Sequence, residues 1–321
     1  MAPTKIKVGI IGARGHTGAE LVKLLVDHPG FELALVTSRE SAGRPVGEVI
    51  AGVDLDLTFT SPTPAEAVGS GVDHWILALP NGQSAPWVEA IEAATPEAVI
   101  VDLSTDHRFD KRWVYGLPEI ERQRLVGARR IANPGCYATA AELAIYPLIG
   151  ELDGPAHVFG ISGYSGAGTT PSPRNDPARL ADNVMPYALS GHAHETEIRW
   201  QLGHKVFFTP VVASFFRGLV VTAHMTTKAP LSVDEIVARF EKAYAFEPLV
   251  TLQRDIPEPR AAAFRHGATV GGFAAEATER HVVVCATLDN LLKGAATQAL
   301  QNLNLASGQD ELAGIRKHLT P

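Results

Sequence analysis

Three glycines near the amino terminus restrict the fold more than any other feature of the sequence. Gly12, Gly15 and Gly18 are spaced G-x-x-G-x-x-G. They follow a β-branched run, Lys7–Ile11, and precede a helical pattern over Ala19–His28. This order is typical of a dinucleotide-binding unit, in which the glycines permit a tight turn, close approach of a phosphate and close helix–strand packing. A purely structural turn is the alternative.

The same alternation of strand and helix continues through the first half of the chain. Phe31–Thr37, Trp75–Leu79 and Ala98–Leu103 read as strands, and Ala85–Ala93 reads as a helix. Such repetition predicts a parallel sheet with crossover helices. We therefore expect an α/β fold, with a Rossmann-type, doubly wound dinucleotide-binding domain over residues 1–135.

Around residue 150 the pattern changes to strand candidates that are joined by long segments with few helices. These candidates are Val158–Tyr164, Lys205–Val212, Gly218–Thr226 and His281–Thr287. They predict a second α+β domain over residues 136–289, with a more antiparallel sheet. The catalytic, substrate-binding and oligomerisation roles expected of this domain come from the family resemblance described below. A final helix, Asn290–Leu305, within the segment 290–321, is expected to pack back on the first domain.

Composition excludes several classes of function. The formal net charge is −7, which disfavours non-specific nucleic-acid binding. The longest apolar runs are strand-sized, so no membrane span is expected, and the first residues, MAPTKIKVGIIGARG, lack a signal-peptide core. We expect a cytoplasmic protein, in which the two cysteines are thiols.

The end of the second predicted strand indicates which nicotinamide cofactor is preferred. An NAD enzyme places an acidic side chain about twenty residues after the glycines, to bind the ribose hydroxyls. Here the chain reads Thr37-Ser38-Arg39, and a hydroxyl beside a guanidinium suits the 2′-phosphate of NADP(H). The adjacent Glu40 weakens this interpretation, and a solvated Arg39 is the alternative.

A further loop, LALPNGQS, follows another predicted strand, where a doubly wound sheet borders its ligand crevice. Asn81 and Gly82 are candidate nicotinamide contacts, although a simple turn explains them nearly as well. The predicted cofactor-binding residues of the first half are Gly12, Arg14, Gly15, His16, Thr17, Gly18, Ser38, Arg39, Pro80, Asn81 and Gly82.

Cys136 is the candidate nucleophile. An Asn-Pro-Gly turn precedes it, and the residues from Cys136 to Tyr146 read as a helix. A thiol at a helix N-terminus has a lowered pKa, and the N–H groups beside it can hold a substrate oxyanion. Cys285 lies inside a predicted strand, HVVVCAT, where a small buried apolar residue is expected.

A cysteine nucleophile needs an acid/base partner, and the segment SGHAHETEI offers His192 and His194 just before a predicted helix. We favour His194 because it lies nearer the helix start, although the sequence does not decide between them. Either imidazole could be structural. A metal pair would need further ligands, and no third group or CxxC is present, so no metal is predicted.

Nine segments in order resemble the N-acetyl-gamma-glutamyl-phosphate reductase family. They are GARGHTGAEL, LALPNGQS, VDLSTDHRF, YGLPE, PGCYATA, SGYSGAG, GHAHETEI, FFRG and LDNLLKGAATQALQNLN. The resemblance implies a second domain of semialdehyde-dehydrogenase type and NADPH-dependent reduction of N-acetyl-L-glutamyl 5-phosphate to the 5-semialdehyde and phosphate, in arginine biosynthesis. It implies that the Cys136 thiolate forms a thioester and that hydride from NADPH then reduces it.

The resemblance also implies roles for residues that spacing alone does not single out, and a homodimer or homotetramer. The residues implied to bind the cofactor are Ser165, Gly166 and Asn290. The residues implied to bind the substrate are Arg108, Asn133, Ser162, Arg217 and Lys293. Each cation could instead form a surface or interdomain ion pair. The stretch 163–176, which contains Arg174, is either a plain linker or an active-site loop.

The sequence departs from the family pattern at a few points. Ala138 and Thr196 stand where proline is usual, Ala193 stands where arginine is usual, and the segment Asp110–Val114 is shortened. The same chemistry on another acyl phosphate remains open, as in aspartate-semialdehyde dehydrogenase or a reductase of carrier-protein-bound aminoadipyl phosphate. A catalytically inactive NADP-sensing protein is the third alternative.

Overall fold

The computed structural model describes residues 4–276 and 278–319. The chain divides into two compact units. The first unit runs to Pro134 and resumes at Ala295, and the second unit is Gly135–Gly294. The outermost residues of the predicted first domain and of the predicted final segment, 1–3 and 320–321, lie outside the described residues.

The regular elements follow one another along the chain as listed below by type. The strands are β1 (Ile6–Ile11), β2 (Phe31–Val36), β3 (His74–Leu77), β4 (Ile100–Asp102), β5 (Val114–Tyr115), β6 (Arg130–Ala132), β7 (Ala156–Gly163), β8 (Val184–Pro186), β9 (Val206–Ala213), β10 (Leu219–Thr226), β11 (Val250–Leu252), β12 (Ala268–Ala275) and β13 (His281–Leu288). The helices are α1 (His16–Leu25), α2 (Val46–Val49), α3 (Pro64–Ala67), α4 (Ala85–Ala94), α5 (Pro118–Leu125), α6 (Cys136–Ile145), α7 (Pro177–Leu180), α8 (Ala193–Leu202), α9 (Val233–Tyr244), α10 (Pro259–Ala262) and α11 (Thr297–Ala306). In the part of the chain that the structure describes, no helix is long and apolar enough to cross a membrane.

The first unit contains the predicted parallel sheet, with strand order β2-β1-β3-β4-β6-β5. β1 pairs with β2 on one side and with β3 on the other, and Ile10 is level with Val36. The direction in which strands are added therefore reverses at β1. In open parallel sheets, ligands bind at such a reversal, beyond the carboxyl ends of the strands. The glycine turn follows β1 at this edge.

Helix α1 begins and ends one turn earlier than the sequence pattern indicates. The predicted helix was Ala19–His28, whereas α1 starts at His16, directly after Gly15. The glycine turn leads straight into the helix, which is why the prediction of its start was wrong. At the other end, the His28 ring nitrogen Nδ1 accepts hydrogen bonds from the N–H groups of Gly30 and Phe31, which turns the chain towards β2.

The second unit has a mixed sheet of order β11-β12-β13-β10-β7-β9-β8. The pairs β7·β9 and β11·β12 are parallel and the others antiparallel. Its core joins the sheet to α6, α8 and α9, and α6 is buried from Tyr137 to Ile145. Three strands of this unit were missed, because β8 and β11 are short and the glycines of β12 interrupt its register between Gly271 and Ala274. In the first unit β5 and β6 were also missed, because they have only 2 and 3 residues.

The predicted final helix is also shorter at its start. A π-helical turn occupies Leu292–Ala296, and α11 follows it in the first unit. The polar side chains of α11 are buried because they bind backbone groups. The Gln298 and Asn302 amides both donate to the carbonyl of Gly116, at 2.8 Å. A Cβ on Gly116 would lie 2.2 Å from the Asn302 amide nitrogen, so only glycine fits there.

Candidate active site

The glycine turn after β1 has the geometry of a phosphate-binding turn. Gly12 has φ of +86°, and a Cβ there would lie 2.4 Å from the carbonyl oxygen of Ala78. A Cβ on Gly18 would lie 2.5 Å from the Gly12 carbonyl oxygen, so α1 packs closely on the turn. Around Gly15 the nearest atom to a Cβ is 3.6 Å away. The turn is thus tight where protein packs against it and open at Gly15, beside the N-terminus of α1. Free N–H groups at a helix N-terminus are suited to binding an anion.

The end of β2 brings a hydroxyl and a guanidinium to the same edge of the sheet. Thr37 accepts a hydrogen bond from the N–H of Gly12 at 3.1 Å, which ties the end of β2 to the glycine turn. Arg39 is exposed. Glu40, the residue that weakens the prediction of NADP, forms an ion pair of 2.6 Å with Arg14. Its negative charge is therefore offset by a cation of the glycine turn.

The loop after β3 is held in place by a carboxylate that sequence reasoning missed. Asp106 accepts the N–H of Gly82 at 2.7 Å and the hydroxyl of Ser84 at 2.8 Å. Burial acts to raise the pKa of Asp106, but these hydrogen bonds outweigh it and hold the pKa below its ordinary value. Asn81 accepts the N–H of Thr105. The run STD after β4, rich in capping residues, was the available signal.

Arg108 and Asn133, both predicted to bind substrate, lie together in the first unit. The buried guanidinium of Arg108 donates to the carbonyls of Asn133 and Leu103, at 3.0 and 2.9 Å. The side chain of Asn133 accepts a hydrogen bond from Asn302 at 3.0 Å. Both residues therefore organise the chain around β4 and β6, whatever else they bind.

Cys136 is the first residue of α6, as predicted, and is half-buried. The N–H of Gly135, the residue before it, donates to the buried carboxylate of Glu197 at 2.8 Å. Glu197 belongs to α8, so this bond ties the start of α6 to α8. A Cβ on Gly294 would lie 2.6 Å from Cβ of Cys136, so glycine is required there. Sequence reasoning missed both Glu197 and Gly294.

The two histidines have different roles at the start of α8. His192 is the N-cap residue, and its Nδ1 accepts the N–H of His194 at 3.2 Å. Burial, and then the charge of Arg174, lower the pKa of His192 below 6.5. His192 is thus a neutral cap, with its proton on Nε2. The ring of His194 lies 5.7 Å from that of Tyr137, which follows the cysteine.

Tyr187 connects the cysteine to the histidines. Burial, together with the negative charge of Cys136, raises the pKa of Tyr187 to about 12. Its ring lies 5.5 Å from that of His192. We call Cys136, Tyr137, Tyr187, His192 and His194 the cysteine cluster; all five belong to the second unit.

Four further predicted residues meet in the second unit, after β7 and β13. The amide of Asn290 donates to the hydroxyl of Ser165 at 2.8 Å and accepts the N–H of Gly218. A Cβ on Gly166 would lie 3.5 Å from the Ser162 hydroxyl and 3.6 Å from the Asn290 amide. Their contacts place Ser162, Ser165, Gly166 and Asn290 together.

The two remaining predicted cations are buried. Arg217 forms an ion pair with Asp289 at 3.0 Å, and its guanidinium lies 4.5 Å from the ring centre of Phe264. This ion pair is buried and lies within the second unit, so it is neither of the surface nor of the interdomain kind. Lys293 is fully buried. Cys285 lies buried in β13, as predicted. Within residues 4–276 and 278–319, no group of three or more His, Cys, Asp or Glu side chains could hold a metal ion.

Comparison with protein families gives two matches. Residues 7–128 match the family described as "Semialdehyde dehydrogenase, NAD binding domain". Residues 136–290 match "Semialdehyde dehydrogenase, dimerisation domain". Together with the parallel first sheet and the mixed second sheet, these matches confirm the predicted fold class.

Curated relatives extend over nearly the whole chain. Proteins named N-acetyl-gamma-glutamyl-phosphate reductase are 53% identical in Xanthomonas oryzae pv. oryzae (96% of this chain, 98% of theirs) and 53% identical in Stenotrophomonas maltophilia (98% and 99%). The protein of that name from Xylella fastidiosa is 50% identical over 100% of this chain and 96% of its own length.

Solved structures show a similar fold at low identity. Aspartate semialdehyde dehydrogenase II from Vibrio cholerae, complexed with ASA, matches with a TM-score of 0.77 and 19% identity, over 95% of this chain and 99% of its own. The aspartate semialdehyde dehydrogenase with NADP from Candida albicans matches with a TM-score of 0.73 and 17% identity, over 95% and 99%. At these identities the likeness concerns the fold alone.

The neutral cap at His192 predicts how stability depends on pH. Because the pKa of His192 is lower in the folded chain than the ordinary 6.5, its contribution is present above pH 6.5 and is lost as the pH falls through the folded value. His192→Asn keeps a capping side chain that does not titrate. When the pH is lowered from about 7.5 to about 5.5, we expect the free energy of unfolding to fall less in the variant than in wild type, as measured by urea titrations. An equal fall in the two proteins would contradict the neutral cap.

Proposed function

Because the chain belongs to the N-acetyl-gamma-glutamyl-phosphate reductase family, we propose that it reduces N-acetyl-L-glutamyl 5-phosphate with NADPH. The products are N-acetyl-L-glutamate 5-semialdehyde and phosphate, and the reaction belongs to arginine biosynthesis. The observation that carries the proposal is the position of Cys136 at the first residue of α6, within the cysteine cluster.

The start of α6 serves the first step. The Cys136 thiolate attacks the acyl carbon, a carbon–sulfur bond forms, and phosphate leaves with the electrons of the carbon–oxygen bond. The N–H groups of the first helical turn have no partner within the helix, and they hold the developing oxyanion. Glu197 accepts the N–H of Gly135, so that the substrate oxygen is directed to the N–H groups that follow Cys136.

His194 handles the proton in the second step. The bound nicotinamide supplies the hydride that reduces the thioester. His194 holds the proton that the resulting thiohemiacetal oxygen gains and then releases when the carbonyl re-forms and the thiolate departs. We assign this role to His194 in preference to His192, because Nδ1 of His192 caps α8 and its pKa is lowered.

The glycine turn fits the dinucleotide. Gly12, Gly15 and Gly18 and the N-terminus of α1 would hold the pyrophosphate, since the turn is open at Gly15. Ser38 and Arg39 would bind the 2′-phosphate, and the loop held by Asp106 would border the nicotinamide. NADP(H) is thus the proposed cofactor. The resemblance adds Ser165, Gly166 and Asn290 on the cofactor side.

The two alternative functions have less support. One is disfavoured by the sequence identities and the other by the residues that the site contains. The aspartate semialdehyde dehydrogenases are 16% to 21% identical, whereas the reductases are 50% to 53% identical over nearly the whole chain. A non-catalytic sensor would not need a cysteine at the start of a helix together with two neighbouring imidazoles, those of His192 and His194.

The test is phosphate-dependent reduction of NADP⁺ with N-acetylglutamate semialdehyde. We expect turnover with wild type, and turnover below about a tenth of it for Cys136→Ser, which lacks the soft nucleophile. The matched control, Cys285→Ser, should retain activity, and both variants should bind NADPH. Folded, inactive wild type would contradict the proposal, and activity with aspartate semialdehyde alone would replace its substrate.

Cofactor preference is tested at Arg39. Arg39→Ala removes a charge-assisted hydrogen bond to the 2′-phosphate, and should lower the ratio of kcat/KM for NADP⁺ over NAD⁺ by roughly tenfold. Arg44→Ala, an exposed arginine of the same segment, is the control and should leave the ratio unchanged. If Arg39→Ala also leaves it unchanged, Arg39 does not bind the cofactor.

We also propose that a second copy of the chain covers the outer face of the second sheet, in a homodimer or homotetramer. Helices cover one face, whereas Phe159 of β7 and Phe207 of β9 are 44% and 41% exposed on the other. The match of residues 136–290 to a dimerisation domain supports association through the second unit. Phe159→Glu should lower the mass in sedimentation equilibrium, and Phe246→Glu, exposed outside the sheet, should not. Equal masses would contradict the proposed face.

The proposed location is the cytoplasm, because a thiolate nucleophile requires a reducing compartment and neither Cys136 nor Cys285 forms a disulfide. Activity in the soluble cytoplasmic fraction of the producing cell is expected, and activity confined to a membrane or secreted fraction would contradict it.

A further inference from the structure

Arg174 lies beside the cysteine cluster, although the mechanism above does not use it. Its guanidinium carbon is 4.9 Å from the centre of the Tyr187 ring, which makes a cation–π contact. The charge of Arg174 also acts on His192 and on Tyr187, opposing the positive form of the first and favouring the anion of the second. A positive charge therefore belongs to the surroundings of Cys136.

The turn that carries Arg174 is held by side-chain hydrogen bonds to its own backbone, unlike a plain linker. Asn175 accepts the N–H of Ser172 at 2.7 Å and donates to the carbonyls of Gly168 and Thr170, at 2.9 and 2.8 Å. Asp176 then caps α7 by accepting the N–H of Ala178. Arg174 is thus held between a side chain that closes the loop and one that starts a helix.

The carboxylates of this region bind other groups. Glu195 accepts the N–H of Phe208 and pairs with Arg199 at 3.0 Å, and Glu197 accepts the N–H of Gly135. Among residues 4–276 and 278–319, Arg174 forms no ion pair with a carboxylate. Its side chain contacts Tyr187 through the ring and through a hydrogen bond. The remaining N–H groups of the guanidinium keep the charge and the donors that an oxyanion needs.

We propose that Arg174 binds an oxyanion of the substrate beside Cys136. The inference rests on the proposed function, in which the substrate carries a carboxylate and a phosphate. The inference also accounts for one departure from the family pattern. The exposed Ala193, next to His192, stands where the family resemblance leads one to expect arginine. A cation from the loop after β7 takes the place of a cation at the start of α8.

Alkylation of Cys136 tests the charge without turnover. Iodoacetate is an anion and iodoacetamide is neutral, so a nearby cation favours iodoacetate. Arg174→Ala should lower the ratio of the iodoacetate rate to the iodoacetamide rate at Cys136 by roughly threefold. This is the size expected when one positive charge acts on an anion through a partly solvated region. Arg174→Lys should keep the ratio. Arg179→Ala, an exposed arginine of α7, is the control, and Cys285→Ser provides the background in all variants.

Steady-state kinetics then identify which oxyanion is bound. In the direction that reduces NADP⁺, phosphate and the semialdehyde are separate substrates with separate KM values. Arg174→Ala should raise the KM for phosphate if Arg174 binds the phosphoryl group, or the KM for the semialdehyde if it binds the carboxylate, by roughly tenfold. Either result supports the inference.

The inference is overturned if Arg174→Ala and Arg179→Ala give the same alkylation ratio and the same two KM values as wild type. Failure of the proposed function would look different. Wild type itself would then be inactive with N-acetylglutamate semialdehyde, while the ratio of the two alkylation rates could still depend on Arg174.

Discussion

The start of α6 is the constraint on which the rest of the second unit depends. A helix N-terminus offers N–H groups and partial positive charge, and Cys136 occupies its first position. The buried carboxylate of Glu197 binds the N–H of Gly135 and ties α8 to this point, and α8 in turn is capped by His192. Gly294 allows the chain after β13 to approach the cysteine. A few long-range contacts thus fix the positions of Cys136, of the two imidazoles and of the start of α6.

In the first unit, closely packed glycines and side-chain hydrogen bonds fix the loops at the ends of the strands. Gly12 lies so close to the end of β3 that a side chain is impossible, and Thr37 binds its N–H from the end of β2. Asp106 holds the loop that follows β3. All three features lie beyond the carboxyl ends of parallel strands, where backbone N–H groups and polar side chains are available to a ligand.

The sequence alone predicted what is local. Strand–helix alternation and the glycine turn identified the parallel sheet, and Pro-Gly before an apolar run located the start of α6 to the residue. It did not predict β12, whose glycines break its register, or the roles of Glu197, Asp106 and Gly294, which come from contacts with residues far along the chain. The sequence left His192 and His194 open because only the backbone geometry shows which imidazole is the cap.

The central claim is a thioester on Cys136. The most direct measurement mixes the protein with N-acetylglutamate semialdehyde and NADP⁺ in the absence of phosphate, quenches with acid and analyses the peptides by mass spectrometry. The account predicts one N-acetylglutamyl group on the peptide that contains Cys136, released when phosphate is added before the quench. NADP⁺ reduction with Cys136 unmodified, or with the acyl group on another residue, would contradict it.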